Sequence, residues 1–288
     1  MNTTVTPPPP AQAPAPQNPP APAPRSGGPG KPVAIILIVI GGLLLVATVL
    51  GVIRSVVADA SRIDDTLTVD AAGITSLDVD AAASSFRLEF GDVDEATLEI
   101  TDARSEWTLT REGDELQVGT PDHLFGDWGP RFGRNEEQVV LTLPESLRDA
   151  EIDADLSLAA GELRAEGAFG ELDLELGAGG MNVSGSARTL TADISAGDAR
   201  VELADVSEAE ITVSAGRLVG ELTGSAPDLV TAGVSAGSLD LTLPAGSYDV
   251  NSDASAGRVD NRLDTDDSSA HRVTVDLSAG HATLRSDD

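Results

Sequence analysis

An all-β fold, a single-stack parallel β-solenoid of short turns, is what this sequence predicts, on three observations. An Ala-Gly corner recurs at Gly161, Gly179, Gly197, Gly216, Gly237, Gly257 and Gly280, with spacings between 18 and 23 residues. Apolar residues alternate with polar ones on both sides of it, and only 3% of the chain is aromatic. A fixed period near twenty marks a stacked repeat, because one such unit cannot bury its own apolar row and needs a neighbour above it.

Aligned on the glycine, the position three before it holds Leu158, Leu176, Ile194, Val213, Val234, Ala254 and Leu277. Seven before stand Ala154, Leu172, Leu190, Ala209, Val230, Val250 and Val273. Five before, Leu156, Leu174, Ala192, Ile211, Ala232 and Val275 are joined by one exception, Ser252. Two after come Leu163, Met181, Ala199, Leu218, Leu239, Val259 and Ala282. Spacing by two on either side of a bend is strand, tight corner, strand. Glycine accepts φ > 0 at the corner, and the small alanine beside it leaves room for a backbone about 4.8 Å away. A helix is excluded by the period of two, and a propeller blade needs about twice this repeat length.

The remaining segments follow in order. Residues 1–32 are a Pro/Ala-rich tail, expected to be disordered or locally polyproline II. Residues 33–53 are 21 uncharged, mostly branched apolar residues, about 31 Å as a helix and enough to cross a bilayer. A transmembrane helix is therefore expected over 33–57, bracketed by Lys31 and Arg54. The rival is a cleavable signal peptide ending near Ala58-Asp59-Ala60, but the apolar run exceeds a signal core of about 7–15 residues. Arg25 and Lys31 on one side balance Arg54 and Arg62 on the other, so charge does not orient the helix. The expected placement is the cytoplasmic membrane of a bacterium, tail inside and β-domain outside.

A linker is expected over 58–74, and an irregular β cap with the first turns over 75–156. Strands are predicted at 76–80, 86–90, 97–101, 107–111, 115–118 and 139–143. Within the cap, the Gly-rich loop from Gly119 to Glu137 holds Phe125, Trp128, Arg131, Phe132 and Arg134, residue types that carry interface energy. The bland reading is that this loop folds back over a sheet face. The Ala-Gly repeats fill 157–288, and the charged C-terminal end is expected to blunt the last, open edge.

Composition excludes several functions. Residues 59–288 carry 15 basic and 48 acidic side chains, a balance that repels nucleic acid and anionic lipid. There is no cysteine for a disulfide or thiolate site. Gly233-Val234-Ser235-Ala236-Gly237 matches a nucleophile motif, but it is the ordinary corner with an extra glycine and lacks the strand–turn–helix setting. Gly177-Ala178-Gly179 lacks the third glycine of a dinucleotide fingerprint. His123, His271 and His281 show no metal spacing. Glu175 with Asp193, and Asp253 with Asp276, fall in one row on neighbouring turns and are the candidates for a divalent cation. A solvated acidic face is the simpler account. Neither catalytic residues nor a cofactor are expected.

The run Val139-Val140-Leu141-Thr142-Leu143-Pro144, a following Ser-Leu, and the Ala-Gly turns from Gly161 onward resemble the bacterial putative-adhesin family over residues 75–288. That resemblance implies a β-solenoid at the cell surface, a cell-wall polymer or envelope protein as partner, and no catalytic residues. Relatives that accompany envelope-stress signalling supply the alternative, an accessory protein acting through its anchor and the Trp128 loop. The strongly acidic balance and the proline-rich leader depart from the family pattern.

Overall fold

The computed structural model describes residues 65–103, 106–120 and 137–287. The tail and the apolar segment lie outside these residues, and among the described residues no helix is long and apolar enough to cross a membrane. The described chain is all-β. It opens with β1 (Asp65–Val69), β2 (Ser76–Gly91), β3 (Ala96–Thr101), β4 (Thr108–Glu112), β5 (Glu115–Gly119) and β6 (Gln138–Pro144). A single 3-10 turn (Glu145–Leu147) leads into β7 (Ile152–Leu176) and β8 (Gly180–Ile194). Shorter strands follow: β9 (Asp198–Ala204), β10 (Glu208–Val213), β11 (Arg217–Thr223), β12 (Leu229–Val234) and β13 (Ser238–Leu243). The chain ends with β14 (Ser247–Ala254), β15 (Arg258–Asn261), β16 (Asp264–Thr265), β17 (Arg272–Leu277) and β18 (His281–Ser286).

Segments one period apart pair in parallel and in register. Leu163 lies beside Met181, Met181 beside Ala199, and Ala199 beside Leu218. On the other side of the corner, Leu172 lies beside Leu190 and Leu190 beside Ala209. Each strand–corner–strand unit is thus one rung, with a first row of strands before the corner and a second row after it. Period-two alternation turns one side chain in two inward, and the inward columns are closed to solvent: Leu77, Leu156, Leu174, Val213, Leu239 and Leu241 are each at most 2% exposed. Full burial of such a side chain contributes about 1.5–3 kcal/mol, and the rungs above and below supply part of the cover.

The corners stack with the strands. A Cβ on Gly179 would run into the carbonyl oxygen of Gly161, and one on Gly197 into that of Gly179. At Gly179 the backbone also sits at φ +106, a region L side chains rarely adopt. Gly216 and Gly237 lack a positive φ, so there the close approach alone requires glycine. The preceding alanines, such as Ala178, Ala215 and Ala236, lie on the exposed outside of the bend and do not make that room.

The far end departs from sequence order. β17 pairs with β12 on one side and β14 on the other, and β18 lies between β13 and β15. The C-terminal rung is therefore inserted, and the rung of Gly257 forms the outer end. This corrects the expectation that the charged C-terminal strand blunts an open edge: the edge is β15 with residues 249–254 of β14, whose first two residues pair with β16. Interior polarity decides the order. The C-terminal rung offers Val273, Val275, Leu277, Ala282 and Leu284, all at most 3% exposed. At the matching positions the outer rung places Ser252, Ala254 and Asn261, which are exposed. Enclosing Ser252 and Asn261 would cost about 1–3 kcal/mol for each unpaired polar group.

The near end is closed differently. β3 pairs antiparallel with β6, β1 with β3, and β4 with β5. The predicted strands at 76–80 and 86–90 are one continuous strand, β2, that crosses its corner through Ser84 instead of a glycine. The segment expected as a linker contains β1, which joins the sheet because Leu67 and Val69 pack on the core.

Two outcomes follow. Gly179→Val should destabilise the protein by at least about 3 kcal/mol, combining positive-φ strain with backbone overlap, whereas Gly233→Ala meets nothing within 4 Å and should leave thermal unfolding within a degree or two. In this cysteine-free chain, Thr231→Cys with Thr274→Cys should form a disulfide, since the two are register partners. Thr231→Cys with Asn251→Cys should not, because β17 separates them; the reverse pattern on non-reducing gels would refute the inserted order.

Candidate functional site: two outward faces

The outward positions of the two rows differ in charge. In the first row Asp78 lies beside Asp155, while Asp173 lies beside Thr191 and Thr191 beside Glu210. The next outward column runs Asp80 beside Ser157, then Glu175 beside Asp193 and Asp193 beside Thr212. No lysine or arginine occupies residues 76–80, 153–157, 171–175, 189–193 or 208–212. Parallel register forces these carboxylates to about 4.8 Å strand spacing. Like charges so close disfavour ionisation, as does loss of solvent in the crowd.

The carboxyl groups respond accordingly. Asp155 keeps solvent contact, yet desolvation by its neighbours, followed by the charges of Asp78 and Asp173, pushes its pKa up to about 6, against a weak hydrogen bond from the Ser157 hydroxyl. Asp78 is raised by desolvation, then by Glu115 and Asp80. Asp173 is raised by desolvation, with Thr191 opposing and Asp193 and Asp153 adding. Asp153 instead accepts the backbone N–H of Glu171 at 2.8 Å.

The cation candidates are brought together only as pairs. Glu175 is the register partner of Asp193, and Asp253 of Asp276, the latter pair involving the exposed outer rung. Among the described residues no group of three or more His, Asp or Glu is placed to hold a metal ion.

The second row carries arginine. Arg87 lies beside Arg164, Arg164 beside Asn182, and Asn182 beside Arg200. Each arginine has a carboxylate close by: Arg87–Glu89 at 3.3 Å, Arg164–Glu162 at 2.8 Å and Arg200–Glu202 at 2.6 Å. Arg217 reaches Asp198 on the neighbouring rung at 4.0 Å. These pairs are solvent-exposed, so each is worth at most about 1 kcal/mol and exchanges readily.

The loop candidates Phe125, Trp128, Arg131, Phe132 and Arg134, with His123, lie outside the described residues. Their anchor points are placed: Gly119 pairs with Asp80 and Gln138 with Ser85, so the loop leaves and returns where β2 turns its corner. Beside that corner stands a group the sequence reading missed. The Trp107 indole N–H donates to the carboxylate of Glu137, which is 4% exposed, and Trp107 stacks on Phe86 at 6.1 Å. Neither residue lies in a recognisable motif; only the sheet brings them together, 30 residues apart. The Ser84 hydroxyl next to them is buried and finds no partner among the described residues.

The other sequence candidates among the described residues have local partners. His271 Nδ1 is 3.0 Å from the Pro227 carbonyl oxygen and its ring meets Tyr248 edge-on; His281 Nε2 is 3.1 Å from the Thr283 hydroxyl. Ser235 occupies the same corner position as Ser214, and its backbone N–H donates to Val213 O.

No family model matches this chain, and no curated protein matches it. Similar solved structures include a putative adhesin of Bacteroides fragilis at 12% identity and TM-score 0.46, covering 78% of this chain and 98% of that one. A putative cell adhesion protein of Clostridium sporogenes shares 10% identity at TM-score 0.31, covering 79% of this chain and all of that one. A putative lipid binding protein of Parabacteroides distasonis shares 12% at TM-score 0.38, covering 77% and 96%.

The raised carboxyls set a pH dependence. The folded protein holds these protons more tightly than the unfolded chain, so stability increases as pH falls from above 6 toward the ordinary value of 3.8. The thermal midpoint should therefore rise from pH 7.5 to pH 5. The lowered carboxyls of Glu145, Asp260 and Asp266 act in the opposite sense only at more acid pH. Asp155→Asn should stabilise the protein at pH 7.5 by up to about 1 kcal/mol, after discounting for solvent screening, and flatten the pH slope; a midpoint that falls on acidification would contradict the crowding.

Proposed function

We propose that this chain is a non-catalytic binding module of the bacterial cell envelope: a single-stack β-solenoid held by residues 33–53 at the cytoplasmic membrane, tail inside and β-domain outside. Its partner in this reading is a repeating cell-wall polymer or an envelope protein. The observation that carries the proposal is the strict parallel register of the outward side chains. Groups repeated at one strand spacing on a flat, hydrogen-bonded face suit a ligand that itself repeats, because many weak contacts add along its length. Enzymatic sites instead converge side chains of different roles in a concavity. The acidic first row disfavours anionic lipid and nucleic acid as the partner. The arginine columns of the second row supply donors suited to oxyanion or hydroxyl acceptors.

The test is sedimentation of the full chain, in detergent, with isolated cell wall. Wild type should be enriched about tenfold, or 1.4 kcal/mol, over a charge-matched soluble control. Equal sedimentation of the two would remove the reading.

A further inference from the structure

On one rung the second row presents no charged side chain at its outward positions Gly180, Asn182 and Ser184. Gly180 stands between Glu162 and Asp198 in its column, and Asn182 between Arg164 and Arg200 in the next. The missing side chain at Gly180 and the short one at Asn182 leave a depression of about 240 Å³ with Arg217 on its far wall. Its floor is the sheet backbone at Met181 and Ala199, whose side chains point into the core, and half-buried Val219 lies on the rim. A Cβ at Gly180 would touch only the Glu162 side chain, at 3.9 Å, so the dent is not forced by backbone packing.

We infer that this depression is a binding site for an acidic saccharide, a sugar carrying one oxyanion and several hydroxyls. The inference rests on the reading of the chain as an envelope-binding module and names its ligand class. Arg164 and Arg200 stand two rungs apart, about 9.6 Å at backbone level, one on each side of the Asn182 amide. A guanidinium offers five donors in a planar fork, so an oxyanion seated over Asn182 meets donors from both sides once Arg164 and Arg200 turn from Glu162 and Glu202. The carboxylates now beside them, Glu162 and Glu202, belong to exposed pairs that cost little to exchange. The carboxylates at the rim decide the class of ligand. Glu162 and Asp198 at the rim repel a second negative charge but accept hydrogen bonds from hydroxyls, which selects an acidic sugar over a polyanion. Val219 gives the C–H face of a ring an apolar edge. The acidic first row acts weakly here, because screening at physiological salt falls off over about 8 Å.

Saturation-transfer NMR on the full chain in detergent micelles tests this with glucuronate, glucose and inorganic phosphate as probes. Glucuronate should receive saturation at millimolar concentration. The Arg164→Gln/Arg200→Gln double variant should weaken it about tenfold. Gly180→Val, which fills the dent and leaves every charge in place, should do the same; Gly180→Ser serves if the valine variant unfolds. Glucose should show several-fold less transfer, and phosphate should compete poorly. Equal transfer to glucose, full competition by phosphate, or an unchanged glucuronate signal in both the charge and the filling variants would each overturn the site. Sedimentation of the same variants with cell wall separates the two readings. Wild type that binds wall without accepting glucuronate sinks only this site, whereas wild type that fails to bind wall sinks the module itself.

Discussion

Close backbone approach at the corner is the constraint on which the molecule depends. Each corner glycine lies against the carbonyl of the rung beneath, at a separation no Cβ could enter. That contact permits the hydrogen-bonded spacing between rungs and the in-register pairing of the strands on both sides. Register in turn settles which side chains point inward, because a slip of one residue would invert every face. The narrow interior of Leu, Val, Ile and Ala, and the ordered outward columns, are both consequences of one repeated backbone contact.

The same constraint creates the molecule's electrostatic character. Carboxylates spread along a loop would separate; carboxylates in register cannot. Asp78, Asp155 and Asp173 are held together by strands whose stability comes from the interior, so the fold sustains their repulsion instead of relaxing it. The second row solves the same problem by pairing, with Glu162 beside Arg164 and Glu202 beside Arg200. The part of the first row around Asp78, Asp155 and Asp173 is therefore acidic and proton-sensitive, and the second row is charge-mixed, with uncharged outward residues at Gly180 and Asn182.

The two ends of the sheet are finished differently. At the near end, antiparallel strands cover the first rung. At the far end, polar and small residues make the outer rung fit for solvent, while the more apolar rung that follows it in sequence is enclosed. Burial free energy, not chain order, ranks the rungs.

Periodicity alone determined much of this: the strands, the corner glycines, the inward columns and the pairing of Glu175 with Asp193 follow from period-two alternation and a period near twenty. Ser252 was already the one polar residue among its aligned positions, so the signal for the outer rung was present, but a list of aligned residues does not say which rungs are neighbours. Only tertiary structure decided that order, the Trp107–Glu137 contact and the dent at Gly180. The physical reason is that periodicity fixes which way a side chain points, whereas neighbours across the stack are chosen by competition among all rungs for the same limited interior.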